Sequence, residues 1–139
     1  MVEMQYDRSN LIDALDRCNA DVSGKPSVSL LDTEAEVFGA SHQDFGKGLC
    51  EKWKFPTPFM AAAGYHHCPT EAPTEAKKIV YVVHAADKIA GMLEGGFKLD
   101  NPSTEIQREV MEDLKLTQEL VEEIFDALVA ALEDPDQAS

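Results

Sequence analysis

The 139 residues suffice for one compact domain and are too few for two ordinary ones. Apolar side chains make up 44% of the chain, enough to build a core, so wholesale disorder is excluded. A formal net charge of -14 repels a phosphate polyanion, which argues against direct nucleic-acid binding. The acidic residues are spread along the chain, as on a solvated surface, and do not form a dedicated tail. No apolar run reaches the roughly 18 residues of a membrane span. The stretch from Met1 to Asp7 lacks the basic start and apolar stretch of a secretory leader. Cys18, Cys50 and Cys68 are too few and too scattered for a disulfide framework, and their odd number fits reduced thiols in a cytoplasm.

Helical spacing of Tyr6, Leu11, Ile12, Leu15 and Cys18 predicts a first helix over 6–20. Gly24 and Pro26 place a loop over 21–29, which divides an N-terminal helix and loop (1–28) from a helical core (29–135) within one domain. A second helix is expected over 30–40, capped by Ser29 or Asp32. A third runs over 42–53, with Ser41 as N-cap and Asp44 in the capping-box position. Its residues Phe45, Leu49 and Trp53 recur every four on one face, and Trp53 and Phe55 read as core. Thr57 is expected to cap a fourth helix, with Pro58 at its first position, ending near His67. Its small residues Ala61, Ala62 and Ala63 permit close helix approach and suggest a central place.

After a loop at 69–74, apolar residues from Ile79 to Leu93 predict a long helix over 75–93, buried on most faces and ended by Gly95-Gly96. The β-branched residues from Ile79 to Val83 would also suit a strand, but the continuation through Ile89 favours helix. Ser103 or Thr104 starts a short helix through Leu114. Thr117 caps the last one, whose stripe of Leu120, Val121, Ile124, Phe125, Leu128, Val129 and Leu132 is expected to pack on its own domain before Asp134-Pro135 stops it. The fold class is therefore all-α, a bundle of about six to seven helices.

All four histidines lie between His42 and His84. His84 and Asp87, three apart, share a helix face; they suit either two metal ligands or a plain polar pair. On a continuous helix, the side chains of His66 and His67 diverge by about 100°, so at most one would join a given site and the other would cap C-terminal carbonyls or sit in solvent. At a helix start the ring of His42 is favoured in its neutral form, able to ligate a metal or to stand as a surface residue.

The order Glu36-Val37-Phe38-Gly39-Ala40-Ser41-His42, Phe45-Gly46, Trp53-Lys54-Phe55-Pro56, Tyr65-His66-His67 and Val83-His84-Ala85-Ala86-Asp87 resembles the C-terminal portion of the HD-related output domain, HDOD. That family is a regulatory branch of the HD phosphohydrolase superfamily. The resemblance covers about 30–93 and implies an HD-domain-like fold. In catalytic relatives, positions similar to His42, His66 or His67, and Asp87 contribute to or neighbour a metal site. A His-Asp dyad on an earlier helix supplies the bridging ligands. Here no His is followed by Asp, Cys68 stands where related phosphodiesterases carry an acid, and their glycine-tyrosine-proline signature is missing. Without the dyad a two-metal centre lacks its bridging carboxylate.

The resemblance thus implies a non-catalytic signalling module that acts on protein partners, a homodimer included, with no cofactor, nucleic acid or membrane. The alternative is a residual metal-dependent phosphohydrolase acting on a nucleotide or cyclic dinucleotide. No catalytic metal is expected; His42, His66, His67, His84 and Asp87 are candidates for a vestigial pocket within about 10 Å of one another, a span set by helix packing. Asp87 is expected to be buried and hydrogen-bonded. Phosphate loops and serine elbows are absent from the sequence. A Cys-His nucleophile from Cys50 or Cys68 with His67, or a zinc site from Cys50, His66 and Cys68, has only residue type in its favour. A short chain of this type is expected to self-associate through Leu11, Ile12 and Leu15 and through the Leu120–Leu132 helix.

Overall fold

The computed structural model describes residues 8–18, 28–93 and 103–133, without the side chains of Arg8 and Leu11. Among them are seven α-helices and no strand, as the apolar spacing predicts. They are α1 (Arg8–Arg17), α2 (Leu30–Phe38), α3 (His42–Lys52), α4 (Thr57–Tyr65), α5 (Lys77–Ala90), α6 (Arg108–Leu114) and α7 (Gln118–Glu133). Two single 3-10 turns, Pro69–Glu71 and Thr74–Ala76, bridge α4 to α5. Tyr6, most of the 21–29 loop, Gly95-Gly96 and Asp134-Pro135 lie outside the described residues.

Helix starts follow local chemistry. The Ser29 hydroxyl accepts from the Leu31 N–H and caps α2. Ser41 and Asp44 form the expected reciprocal capping box at α3. Thr117 Oγ1 accepts from Leu120 N–H at the head of α7. Gly39 ends α2 with φ 78°, a left-handed conformation that a side chain would strain. At α4 the expectation fails by one residue: Pro56 is the N-cap, Thr57 is already helical, and no side chain caps the start. Pro58 then lies second in the helix, still within the first turn, where a missing N–H leaves no bond unmade. Ser103 and Thr104 do not start α6 either; non-helical backbone runs to Gln107, and Arg108 begins the helix.

Small residues bring α3 and α4 together. A Cβ on Gly46 would touch the Ala63 Cβ at 3.4 Å, and one on Gly64 would meet the Lys47 Cδ at 3.0 Å. On the other side of α4, Ala61 packs with Ala72, Ala76 and Val80 in one core cluster. A second cluster joins α5 to α6 through Tyr81, Ala85 and Val110, flanked by Ile106, Leu114 and Leu116. At its edge Tyr81 donates to Glu109 at 2.6 Å, and Lys77 reaches the same carboxylate at 3.1 Å. A third contact ties α1 to α2: the buried Cys18 thiol donates to Thr33 Oγ1 at 3.2 Å, and that hydroxyl donates to the Ser29 carbonyl.

Three expectations about burial are corrected. In α5, Val80, Tyr81, His84, Ala85 and Ile89 are buried, but Ile79 and Val82 face solvent, because α4, α6 and α7 cover one side only. Trp53 and Phe55 are not core: Trp53 is 60% and Phe55 43% exposed, because Lys54 adopts φ 57° and turns the chain outward after α3. Of the α7 stripe only Val121 is buried, while Leu120, Ile124 and Leu132 remain exposed.

Candidate functional site

The site forms where the start of α3 meets the end of α4. Ser41, the capping residue, fixes the direction in which His42 leaves the first turn. From α2, Glu34 reaches across. One of its oxygens, Oε2, accepts from the His42 backbone N–H at 2.8 Å and from His42 Nδ1 at 2.7 Å. Glu34 is buried together with Leu30 and Thr33, the i, i+3 and i+4 positions of one face of α2. A carboxylate at such a position needs donors, and the head of α3 supplies two.

His66 and His67 follow the last residue of α4, Tyr65. His66 turns back so that Nδ1 donates to the carbonyls of Ala62 and Ala63, at 3.0 and 3.1 Å. The His67 N–H donates to Gln43 Oε1 at 2.9 Å, and its Nε2 lies 3.0 Å from His42 Nε2. The rule that only one of the two adjacent rings can join the site is therefore overturned. It assumes a continuous helix, and the chain has already left helical geometry at His67. Ring centroids are 5.6 Å apart for His42 and His66, 5.1 Å for His42 and His67, and 4.1 Å for His66 and His67. One nitrogen from each of the three rings lies within 4.8 Å of the others.

His84 stands behind this trio. Its Nδ1 donates to the His66 carbonyl at 2.7 Å, so it supports the bend that carries His66 and His67. The side chain is buried, and its Nε2 has no hydrogen-bond partner among the described residues. The ring does not donate to Asp87, which is half-buried, contrary to the expected full burial, because it sits on the flank of α5. Asp87 still favours the charged form of His66 and His84 electrostatically.

Burial is the leading influence on all three rings around the bend. It lowers the pKa of His66 and of His84. His67 is pushed down to about 3, first by burial and then by the neighbouring His66, His42 and Lys88. The rings of His66, His67 and His84 are accordingly neutral at neutral pH. An open cavity of about 470 Å³ adjoins them, lined by His67, His84, Lys88, Glu105 and Arg108 among others.

Sequence reasoning assembled the histidines but missed Glu34 and Gln43. The signal for Glu34 was an acidic residue at an apolar-periodic position, four after Leu30. Gln43 gave no such signal. The cysteine sites find no support: burial raises the Cys68 thiol above its ordinary value, the wrong direction for a nucleophile, and no cysteine joins the histidine cluster among the described residues.

The family model of the HDOD domain matches residues 12–69. That stretch takes in α2, α3, α4 and the three clustered histidines, and it ends before His84 and Asp87. Over that stretch the chain is similar to the HDOD domain. Neither a curated protein nor a solved structure matches the chain. Among the described residues no helix is long and apolar enough to cross a membrane.

Proposed function

We propose that this chain, similar to the HDOD domain over residues 12–69, is a non-catalytic regulatory module that works in the cytoplasm through protein contacts, its own dimer included. The observation that carries the reading is the amount of apolar surface left uncovered on separate elements. Trp53, Phe55 and Phe59 make an exposed aromatic ladder with centroids 6.2 and 6.0 Å apart. Ile79 and Val82 on α5, and Ile124 and Leu132 on α7, add to it. Apolar surface of this kind usually marks a site of protein contact.

The ligand chemistry supports the same reading. Among the described residues the group of three imidazoles within ligand distance of one another includes no carboxylate, and Glu34 is occupied by two donors from His42. A hydrolytic two-metal centre needs a bridging carboxylate and a water activated between two cations. The competing reading, a residual phosphohydrolase of nucleotides or cyclic dinucleotides, has the imidazole cluster in its favour and, among the described residues, no bridging carboxylate within that cluster.

The test has two arms. Light scattering should give a mass above the 15.3 kDa of one chain, falling to that value in Trp53→Ser/Phe59→Ser or in Ile124→Glu/Leu132→Glu. A wild type that stays monomeric and binds no partner of its regulatory pathway would remove the contact reading. Hydrolysis of a nucleotide or cyclic dinucleotide with Mn²⁺, lost in Asp87→Ala, would replace it with the enzymatic one.

A further inference from the structure

We infer that the chain associates head to tail: the exposed stripe of α7 on one copy seats on the aromatic row Trp53, Phe55 and Phe59 of another, with acids of α7 facing Lys52 and Lys54. The inference rests on the protein-contact reading above and names the occupant of that surface, a second copy of this chain.

Charge selects the occupant. Lys52 and Lys54 flank Trp53, both are exposed, and neither forms an ion pair among the described residues. From Gly46 to Thr70 the chain holds three lysines and a single acid, Glu51, although its net charge is -14. Helix α7 is the reverse: it carries Glu119, Glu122, Glu123, Asp126 and Glu133 with no lysine or arginine. A dimer of row on row would set Lys52 and Lys54 against their own copies, and one of α7 on α7 would set acids against acids. Like charges brought into contact oppose association, whereas opposite patches steer and hold it. Of these three pairings the crossed one alone joins opposite signs. The net charges of two copies still repel, but physiological salt screens that repulsion beyond about 8 Å, while pairs in contact are screened much less.

Spacing agrees. The ring centroids of the row step by 6.2 and 6.0 Å, and four residues of helix rise by about 6 Å. Leu120, Ile124 and Ala127 are exposed and fall at i, i+4 and i+7, the anchor positions of a helix laid on an apolar surface. Glu123 lies about 60° round the helix from Leu120, so it borders the stripe on the side where a lysine beside the rings can meet it. The row stands between α3 and α4 while α7 packs on α5, so each copy presents both surfaces on separate elements. Three partly exposed aromatic side chains offer roughly 300 Å² at the centre of such a contact, against about 800 Å² per partner in a standard interface. Association is therefore weak and rises with concentration. A crossed contact also leaves one row and one stripe unused at the ends, so growth does not stop at two copies unless a ring closes.

Sedimentation velocity over a concentration series, at low and physiological salt, reads the assembly. Trp53→Ser/Phe59→Ser removes the row, and Leu120→Lys/Ile124→Lys removes the stripe; all four positions are exposed, and circular dichroism checks that the helices are kept. Wild type should gain mass with concentration, and each variant alone should sediment as one chain of 15.3 kDa. An equimolar mixture of the two variants should return a complex of two chains and no larger, because one intact row then meets one intact stripe. A second pair tests charge and leaves the apolar residues in place. Lys52→Glu/Lys54→Glu and Glu123→Lys/Asp126→Lys should each weaken association about 10-fold or more, and mixing them should restore it. If an apolar variant loses its helices, the charge pair decides alone. A wild type that associates while the mixtures stay monomeric would overturn the crossed pairing and leave the contact reading standing. A row or stripe variant that associates like wild type would do the same. A wild type that stays monomeric throughout would overturn the pairing, and the contact reading would then rest on binding of another protein. Binding of such a monomer to vesicles of anionic phospholipid, lost in Trp53→Ser/Phe59→Ser, would assign the row to a lipid surface instead.

Discussion

Lowering the pH from 7 to 5 should destabilise the fold by about 1 kcal/mol through His67 alone, once solvent screening is counted. The folded-state pKa of His67 is about 3, chiefly because of burial. In the unfolded chain an imidazole titrates near ~6.5. Above that value both states are neutral and the folded state suffers no penalty. Below it the unfolded chain takes up a proton that the folded one refuses, so stability is lost progressively down to about pH 3. At pH 5 the gap is ~1.5 units, which at ~1.4 kcal/mol per unit gives ~2 kcal/mol. His67 is only half-buried, so about half of this survives screening. His66 and His84 are also shifted downward by burial, so they act with the same sign. Asp44 and Glu109 do not confuse the window, since hydrogen bonds from Ser41 and Tyr81 hold them below the ordinary carboxylate range. Urea denaturation at pH 7, 6 and 5 reads the effect: with a slope of about 1–3 kcal/mol/M, His67 alone lowers the midpoint by roughly 0.3–1 M. His67→Gln should flatten the pH dependence by that amount. A midpoint identical at pH 7 and 5, or a His67→Gln variant with the full wild-type slope, would refute the reasoning.

Val110→Ala removes two buried carbons where α6 meets Tyr81 and Ala85, and should destabilise by about 2 kcal/mol in the same assay. Ser41→Ala removes both hydroxyl contacts of the capping box, worth about 1 kcal/mol, and should also broaden the His42 ring signals as the first turn of α3 loosens. Tyr81→Phe leaves Glu109 with Lys77 alone and should lower stability by about 1 kcal/mol, with little change in helix content by circular dichroism. Asp87→Ala, at a half-buried position, should cost about 1 kcal/mol in thermal denaturation, at the low end for a polar network that loses a member.

Where the sequence carried a strong local signal, the fold could be read from it. Ser41 with Asp44 is a reciprocal cap that needs nothing beyond its own turn, and it formed as written. Thr57 failed because Pro56, with its φ already set, was an equally good residue to precede the helix. Apolar spacing found α5 and α7 but overstated their burial, since periodicity gives the face a helix prefers and not how many neighbours arrive to cover it. Trp53 shows the same limit: its spacing from Phe45 and Leu49 was right for a helix face, but the face had ended. At the site, the convergence of His42 with the His66-His67 pair was legible from motif order. Participation of both rings was not, because it depends on where α4 stops. Glu34 was hidden by its distance of eight residues from His42, a contact made only by tertiary packing.

The bond between Cys18 and Thr33 has a use beyond holding α1 to α2. The Cys18 side chain is fully shielded, so a thiol reagent cannot reach it while α1 is docked. Its labelling rate therefore counts the excursions in which α1 lifts away from α2, and pre-labelling of the more accessible Cys50 and Cys68 clears the background. With reclosing faster than labelling, the slowdown relative to a free thiol converts directly into the free energy of that opening. The chain thus carries its own clock for the detachment of its first helix, readable without a mutation and without unfolding the remainder.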